Sequence, residues 1–199
     1  MVSSDRMRRL AVPLAALAFA LGVLGLTVAL LLVPPRQSGS GGAVGGPFSL
    51  VTHEGKPVSE RDFAGRPYLV FFGFTHCPDI CPTTLFQMSE ILARTGDKGR
   101  NLRALFITVD PERDTPEVMR SYVSSFDDRI IGLTGDPASV ETALRSFRGF
   151  ARKVPTKDGD YTMEHTSFVY LMGRDNSFIG TISLSGPPEQ AARDLLAKL

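Results

Sequence analysis

The sequence predicts an α/β domain with a mixed sheet, preceded by one N-terminal transmembrane helix. Three observations lead there. An uncharged apolar run of 24 residues, Leu10 to Val33, directly follows Arg6, Arg8 and Arg9. Two continuous apolar runs, Tyr68 to Phe74 and Leu102 to Val109, alternate with stretches of helical periodicity. Two further strand-like runs around a Gly173–Asn176 turn, then a helical pattern, close the chain.

At about 1.5 Å per residue, the first run forms a helix of about 36 Å, enough for a hydrocarbon core of about 30 Å. Pro13 falls in its first turn, where a missing N–H is harmless. A cleaved signal peptide is the competing expectation, since Ala16-Leu17-Ala18 and Ala18-Phe19-Ala20 are small-x-small sites. The apolar run, however, continues well past both, beyond the roughly 7–15 residues of a secretory apolar region. The expectation is therefore an uncleaved signal anchor at 10–33. Residues 1–9 stay cytoplasmic by the positive-inside rule, and the rest lies on the periplasmic face of the cell inner membrane, single-pass. Pro34 and Pro35 end the helix. Residues 34–46, rich in Gly and Ser, cannot bury enough apolar surface to fold and read as a flexible tether. Charge divides at the same place: residues 1–46 carry net +3 and the remainder net −2.

Residues 47–199 read as one domain. Phe48 to Val51 and the Glu54-Gly55 turn suggest a short hairpin. Tyr68 to Phe74 suits a strand buried on both faces. Pro82 opens a helical pattern with Leu85, Met88 and Leu92 on one face. Leu102 to Val109 is a second buried strand. Thr115-Pro116 supplies an N-cap and a proline at the first helical position, for a helix to about Phe126. Ile130 to Leu133 is a short strand, and Asp136-Pro137 caps a helix whose apolar face holds Val140, Leu144 and Phe147. Ser167 to Met172 and Phe178 to Leu184 are strands, and Pro187 to Leu199 is a closing helix. A thioredoxin-like architecture fits this order.

Composition excludes several classes. Apolar residues at 43% suffice for a core, and a formal net charge of +1 argues against nucleic-acid binding by charge. Two Cys exclude a disulfide-dense scaffold and an all-Cys zinc site.

Both Cys lie in Thr75-His76-Cys77-Pro78-Asp79-Ile80-Cys81-Pro82, between a buried strand and a helix start. Open α/β sheets bind ligands beyond the carboxyl ends of their strands, and a helix N-terminus favours thiolates. Each Cys precedes a proline, which disfavours helical backbone at both. Three readings stand: a structural disulfide, a redox-active Cys77–Cys81 dithiol, and a metal site. A metal site needs at least one ligand more than the two sulfurs. His53 reads as a solvated hairpin residue. His76 is adjacent to Cys77, where neighbouring side chains rarely converge on one ion. His165 lies at a strand entrance. A peroxidase is a weaker alternative, because no matching Arg and Thr or Ser pattern surrounds the cysteines.

The runs FFGFTHCPDICP (71–82), VDPERDTPEVM (109–119) and DYTMEHTSFVYLM (160–172) together resemble the Sco/SenC family. These are membrane-anchored copper-binding proteins that assist assembly of the dinuclear copper (CuA) centre of cytochrome c oxidase. The resemblance spans roughly residues 47–199 and the placement of the anchor. It implies a thioredoxin-like fold and copper ligands at Cys77, Cys81 and His165. It also implies a metallochaperone rather than an enzyme, with the copper-bearing subunit of the oxidase as partner and an upstream copper donor protein. A thiol–disulfide oxidoreductase that reduces the CuA-site cysteines is the alternative. The chemistry agrees: soft thiolates favour Cu(I), imidazole accommodates both Cu(I) and Cu(II), and zinc is the main inorganic competitor. Glu164 departs from the Asp more usual before the histidine. Gly173-Arg174-Asp175 departs from a Pro-Gly turn.

Other candidates carry bland and functional expectations side by side. Asp79 is expected to cap the following helix, or else to recognise a partner. Asp110 either terminates its strand or tunes thiol protonation. Met163 is a conceivable thioether ligand. Phe71, Phe72, Phe74 and Phe106 are expected in the core.

Overall fold

The computed structural model describes Leu21, Gly22 and residues 44–199. Leu21 and Gly22 are helical and belong to a unit separate from residues 42–199. The rest of the expected anchor, and nearly all of the tether, lie outside the described residues. Among the described residues, no helix is long and apolar enough to cross a membrane.

The described domain is built on a seven-stranded mixed sheet of order β2-β1-β5-β4-β3-β8-β9. At its centre lie β3 (Tyr68–Gly73), β4 (Arg103–Thr108) and β5 (Ile130–Thr134), mutually parallel. Every residue of β3 is buried, as expected of a continuous apolar run covered on both faces. Full burial of an aromatic or aliphatic side chain there stabilises the fold by about 1.5–3 kcal/mol. The hairpin β1 (Ser49–Thr52) and β2 (Pro57–Ser59) extends one edge, antiparallel to β5. On the other side, β8 (Val169–Met172) runs antiparallel to β3, and β9 (Phe178–Ile182) antiparallel to β8. This is the mixed-sheet thioredoxin-like arrangement that the sequence predicts.

Four helices complete the layers: α1 (Ile80–Arg94), α2 (Pro116–Val123), α3 (Pro137–Ser146) and α4 (Pro188–Ala197). Proline occupies the first helical position in α2, α3 and α4. Thr115 and Asp136 cap α2 and α3 through their side chains, as their sequence signals predict. The second helix stops at Val123, short of Phe126.

Two further features differ from the sequence reading. Helix α1 starts at Ile80, two residues before Pro82, so Cys81 is helical although a proline follows it. Proline is tolerated there because amides of the first turn have no intrahelical carbonyl to donate to, so a missing N–H costs nothing. The second is an unforeseen two-stranded antiparallel sheet, β6 (Ala151–Pro155) with β7 (Tyr161–His165), separate from the main sheet. Its strands are only partly buried and rich in Arg, Lys and Glu, so no apolar run announces them.

Candidate metal centre

The carboxyl end of β3 delivers the cysteine segment. Gly73 closes the strand, and a Cβ there would lie 2.8 Å from Cys81 Sγ and 2.7 Å from a ring carbon of Phe106. The absence of a side chain is what lets the sulfur reach the end of the sheet. The chain then turns, with the Cys77 amide donating to the Phe74 carbonyl at 3.3 Å, and enters α1. Cys77 is half-buried, Cys81 is buried, and both are free thiols. The Cys81 amide donates to Cys77 Sγ at 3.4 Å. That bond uses one of the unpaired donors at the helix start and draws the two cysteines together. Asp79 occupies the N-cap position, but its side chain makes no capping bond. The expected cap is thus a matter of position only.

His165 arrives from the other side. Strand β8 pairs antiparallel with β3 so that Val169 faces Phe71. The residues just before β8 therefore sit beyond the carboxyl end of β3, beside the cysteines. His165 Nε2 lies 3.8 Å from Cys81 Sγ. Its ring meets Phe74 edge-on at 5.8 Å and Phe71 at 6.5 Å. The other nitrogen, Nδ1, is 2.9 Å from the Thr166 carbonyl. A carbonyl only accepts, so Nδ1 is the donor to it and Nε2 is the nitrogen that faces the sulfur. Burial pushes the Cys81 thiol far above its ordinary pKa. Without a metal, burial keeps Cys81 as a neutral thiol beside Nε2.

Among the described residues, no three His, Cys, Asp or Glu side chains already converge as a metal cluster. The structure brings Cys81 and His165 together, while Cys77 Sγ is turned to the Cys81 amide. With metal–thiolate and metal–imidazole bonds of about 2.3 Å and about 2.0 Å, the Cys81–His165 separation corresponds to a bond angle of about 120°. The separation of these two atoms is thus compatible with one shared ion of first-row size.

The remaining candidates have other duties. His53 Nδ1 accepts the Gly132 amide at 3.0 Å, which makes it a structural residue of the β1–β5 edge rather than a merely solvated one. His76 bonds the Thr75 hydroxyl at 3.2 Å and stays exposed. Met163 packs against the core. Glu164 points outward to Arg152, whose Nε donates at 2.6 Å. Asp110 bonds neither thiol: it is buried, ion-paired with Arg113, and accepts the Tyr161 hydroxyl at 2.9 Å.

Sequence reasoning missed Asp114. It is buried, and it accepts the Thr75 amide at 3.1 Å, the Thr75 hydroxyl at 2.6 Å and the Thr108 hydroxyl at 2.5 Å. It thereby pins the start of the cysteine segment to the end of β4. In sequence it is one of three acidic residues in Asp110-Pro111-Glu112-Arg113-Asp114, and nothing there distinguishes the buried ones from the exposed one. Tyr161 and Arg113 escaped notice because their partnership is tertiary and leaves no local pattern.

A family profile described as SCO1/SenC matches residues 36–199. The chain is 43% identical over 139 residues to the mitochondrial SCO1 homologue of Mus musculus, covering 68% of this chain and 49% of that protein. It is 31% identical over 189 residues to the SenC protein of Rhodobacter capsulatus, covering 90% of this chain and 86% of that one. Among solved structures, Bradyrhizobium japonicum ScoI with copper bound matches at 52% identity with a TM-score of 0.75, over 79% of this chain and 100% of that chain. The chain spans about half the length of the mitochondrial relatives from mouse, Arabidopsis thaliana and human. With a profile match across the whole described domain, the chain belongs to the SCO1/SenC family.

Proposed function

We propose that this protein is a membrane-anchored copper chaperone that delivers copper to, or matures, the CuA centre of cytochrome c oxidase. Cys77, Cys81 and His165 are the copper ligands in this reading. The observation that carries it is the contact of His165 Nε2 with Cys81 Sγ at 3.8 Å, beside the second thiol. The family membership and the copper-bound ScoI structure from Bradyrhizobium japonicum support it. Two soft sulfurs with one imidazole select Cu(I) over harder ions and leave coordination positions free. A partner's ligands can use those positions, which transfer requires. Loading displaces the Cys81 proton, and Cys77 Sγ turns from the Cys81 amide toward the ion. The copper-bearing oxidase subunit is the receiver, an upstream donor protein supplies the ion, and the anchor at 10–33 holds the domain at the periplasmic face of the inner membrane.

A second reading, a thiol–disulfide oxidoreductase acting on the CuA-site cysteines, draws on the same free, adjacent thiols. Copper transfer needs the imidazole, whereas thiol exchange needs only the sulfurs. In cells lacking the wild-type protein, His165→Ala and Cys77→Ala are compared for CuA-dependent oxidase activity at limiting copper. The chaperone reading expects both variants to fail. Full activity with His165→Ala, together with no measurable copper binding, overturns it in favour of the reductase.

A further inference from the structure

We infer that Tyr161 and Arg113 are positioning residues that hold His165 at its distance from the cysteine pair, by clamping strand β7 onto the Asp110–Asp114 loop. The inference rests on the reading of His165 as a copper ligand.

The need for such a clamp follows from the topology. Strand β7 pairs only with β6 and has no ladder to the main sheet. The cysteines, by contrast, follow a fully buried central strand. The two halves of the centre therefore sit on different sheets of one compact unit; β8 fixes His165 from the side that follows it, and β7, which precedes it, needs its own tie.

Successive strand side chains alternate, so Tyr161, Met163 and His165 share one face of β7. Tyr161 bonds the loop after β4 in three ways. Its hydroxyl donates to Asp110 Oδ1 at 2.9 Å. Its carbonyl accepts Arg113 Nη1 at 3.1 Å. Its ring lies under the Arg113 guanidinium, with the central carbon 3.9 Å from the ring centroid. Arg113 is itself fixed by its ion pair with the buried Asp110. Lys153 adds a second cation 4.5 Å from the ring centroid and pairs with Glu112 at 2.6 Å, so β6 is tied to the same loop.

The other end of this loop holds the cysteine side. Asp114 grips the amide and hydroxyl of Thr75, two residues before Cys77. A five-residue stretch thus holds the cysteine segment through Asp114 and the histidine strand through Asp110 and Arg113. At about 3.3 Å per residue, Tyr161 stands about 13 Å along the strand from His165. It does not touch the ion, and it acts through the strand.

The test uses the purified full chain, reduced, with Cu(I) alone as the probe and affinity read by competition with a chromophoric chelator. Tyr161→Phe removes only the hydroxyl, Tyr161→Ala also removes the ring, and each is repeated in a His165→Ala background. Groups bonded directly to a ligand are worth about 10–100-fold in metal affinity, and Tyr161 acts at one remove through the strand. Tyr161→Ala is therefore expected to weaken Cu(I) binding by up to about 10-fold and Tyr161→Phe less, with the rate of dithiol oxidation unchanged. In the His165→Ala background neither change should weaken binding further, because no imidazole is left to position. Equal losses in both backgrounds, or wild-type affinity for Tyr161→Ala, overturn the clamp. If His165→Ala alone binds Cu(I) as tightly as wild type, the ligand reading itself falls, and the clamp falls with it.

Discussion

His165 Nε2 and Cys81 Sγ lie 3.8 Å apart across 84 residues of chain. Antiparallel pairing of β8 with β3 returns the chain to the sheet end from which the cysteine segment departs. The imidazole is additional to the thiol pair, so the two chemistries can be separated. His165→Ala should still cycle between dithiol and disulfide, with exchange rates altered several-fold at most, while losing most of its copper affinity. Thiol counting after mild oxidation and re-reduction, beside copper titration, checks both halves.

The Cys77–Cys81 disulfide form should bind no Cu(I), since oxidation removes both thiolate ligands. Mass measurement on each redox form after copper exposure should find one copper per reduced chain and none per oxidised chain. Copper retained by the oxidised chain would place the ion elsewhere.

Gly73→Ala inserts a methyl group between Cys81 Sγ and Phe106, at 2.8 Å and 2.7 Å. Both neighbours are buried and have little room to retreat. Overpacking of this kind costs about 1–3 kcal/mol. Chemical denaturation should show that loss, and copper titration should show weakened binding, because the displaced sulfur is a proposed ligand. Unchanged stability would mean that the sheet end is looser than the contacts imply.

Much of this was legible in the sequence, for identifiable reasons. The central strands announce themselves because burial on both faces demands unbroken apolar runs, as in Tyr68–Phe74. Helices α2 and α3 announce themselves because Thr115-Pro116 and Asp136-Pro137 combine a cap with a proline. The β6–β7 sheet does not, because Arg152 and Glu164 pair on its outer face while its inner face is held by polar ties, Lys153 to Glu112 and Tyr161 to Asp110 and Arg113. The cysteine segment stood out through its spacing and its place after a buried strand. Reading His165 with it depended on a family resemblance, since a contact across two separate sheets leaves no local pattern. Asp114 was invisible for a related reason: its partners, Thr75 and Thr108, are set by the parallel register of β3 and β4.

Asp114→Ala should destabilise the fold by about 1–3 kcal/mol for each buried donor left unpaired. The Thr75 amide and the Thr108 hydroxyl are the groups concerned. Asp114→Asn should cost less, because the amide oxygen still accepts. Unfolding midpoints of the two variants against wild type give the order, and equal midpoints for Ala and Asn would contradict it.

The pH dependence of stability should include a contribution from Asp127. The Arg129 guanidinium, which donates to it at 2.6 Å and 2.8 Å, lowers its pKa below the ordinary 3.8. A carboxylate with a lowered folded-state pKa contributes stability that is present above the unfolded pKa and lost as pH falls through the folded one. Asp127→Asn should therefore lower the unfolding midpoint at neutral pH and converge with wild type in strong acid. A difference constant from neutral to strongly acidic pH would remove the ion pair from the account.

The central claim is that one copper ion is held by two sulfurs and one imidazole. X-ray absorption at the copper edge of the reduced full chain, loaded with one Cu(I), tests it most directly. The account predicts a shell of two sulfurs and one nitrogen, with the multiple scattering of an imidazole. His165→Ala should lose the imidazole signal, and Cys81→Ser should lose one sulfur. A shell without sulfur, or one unchanged in both variants, would contradict the assignment of Cys77, Cys81 and His165.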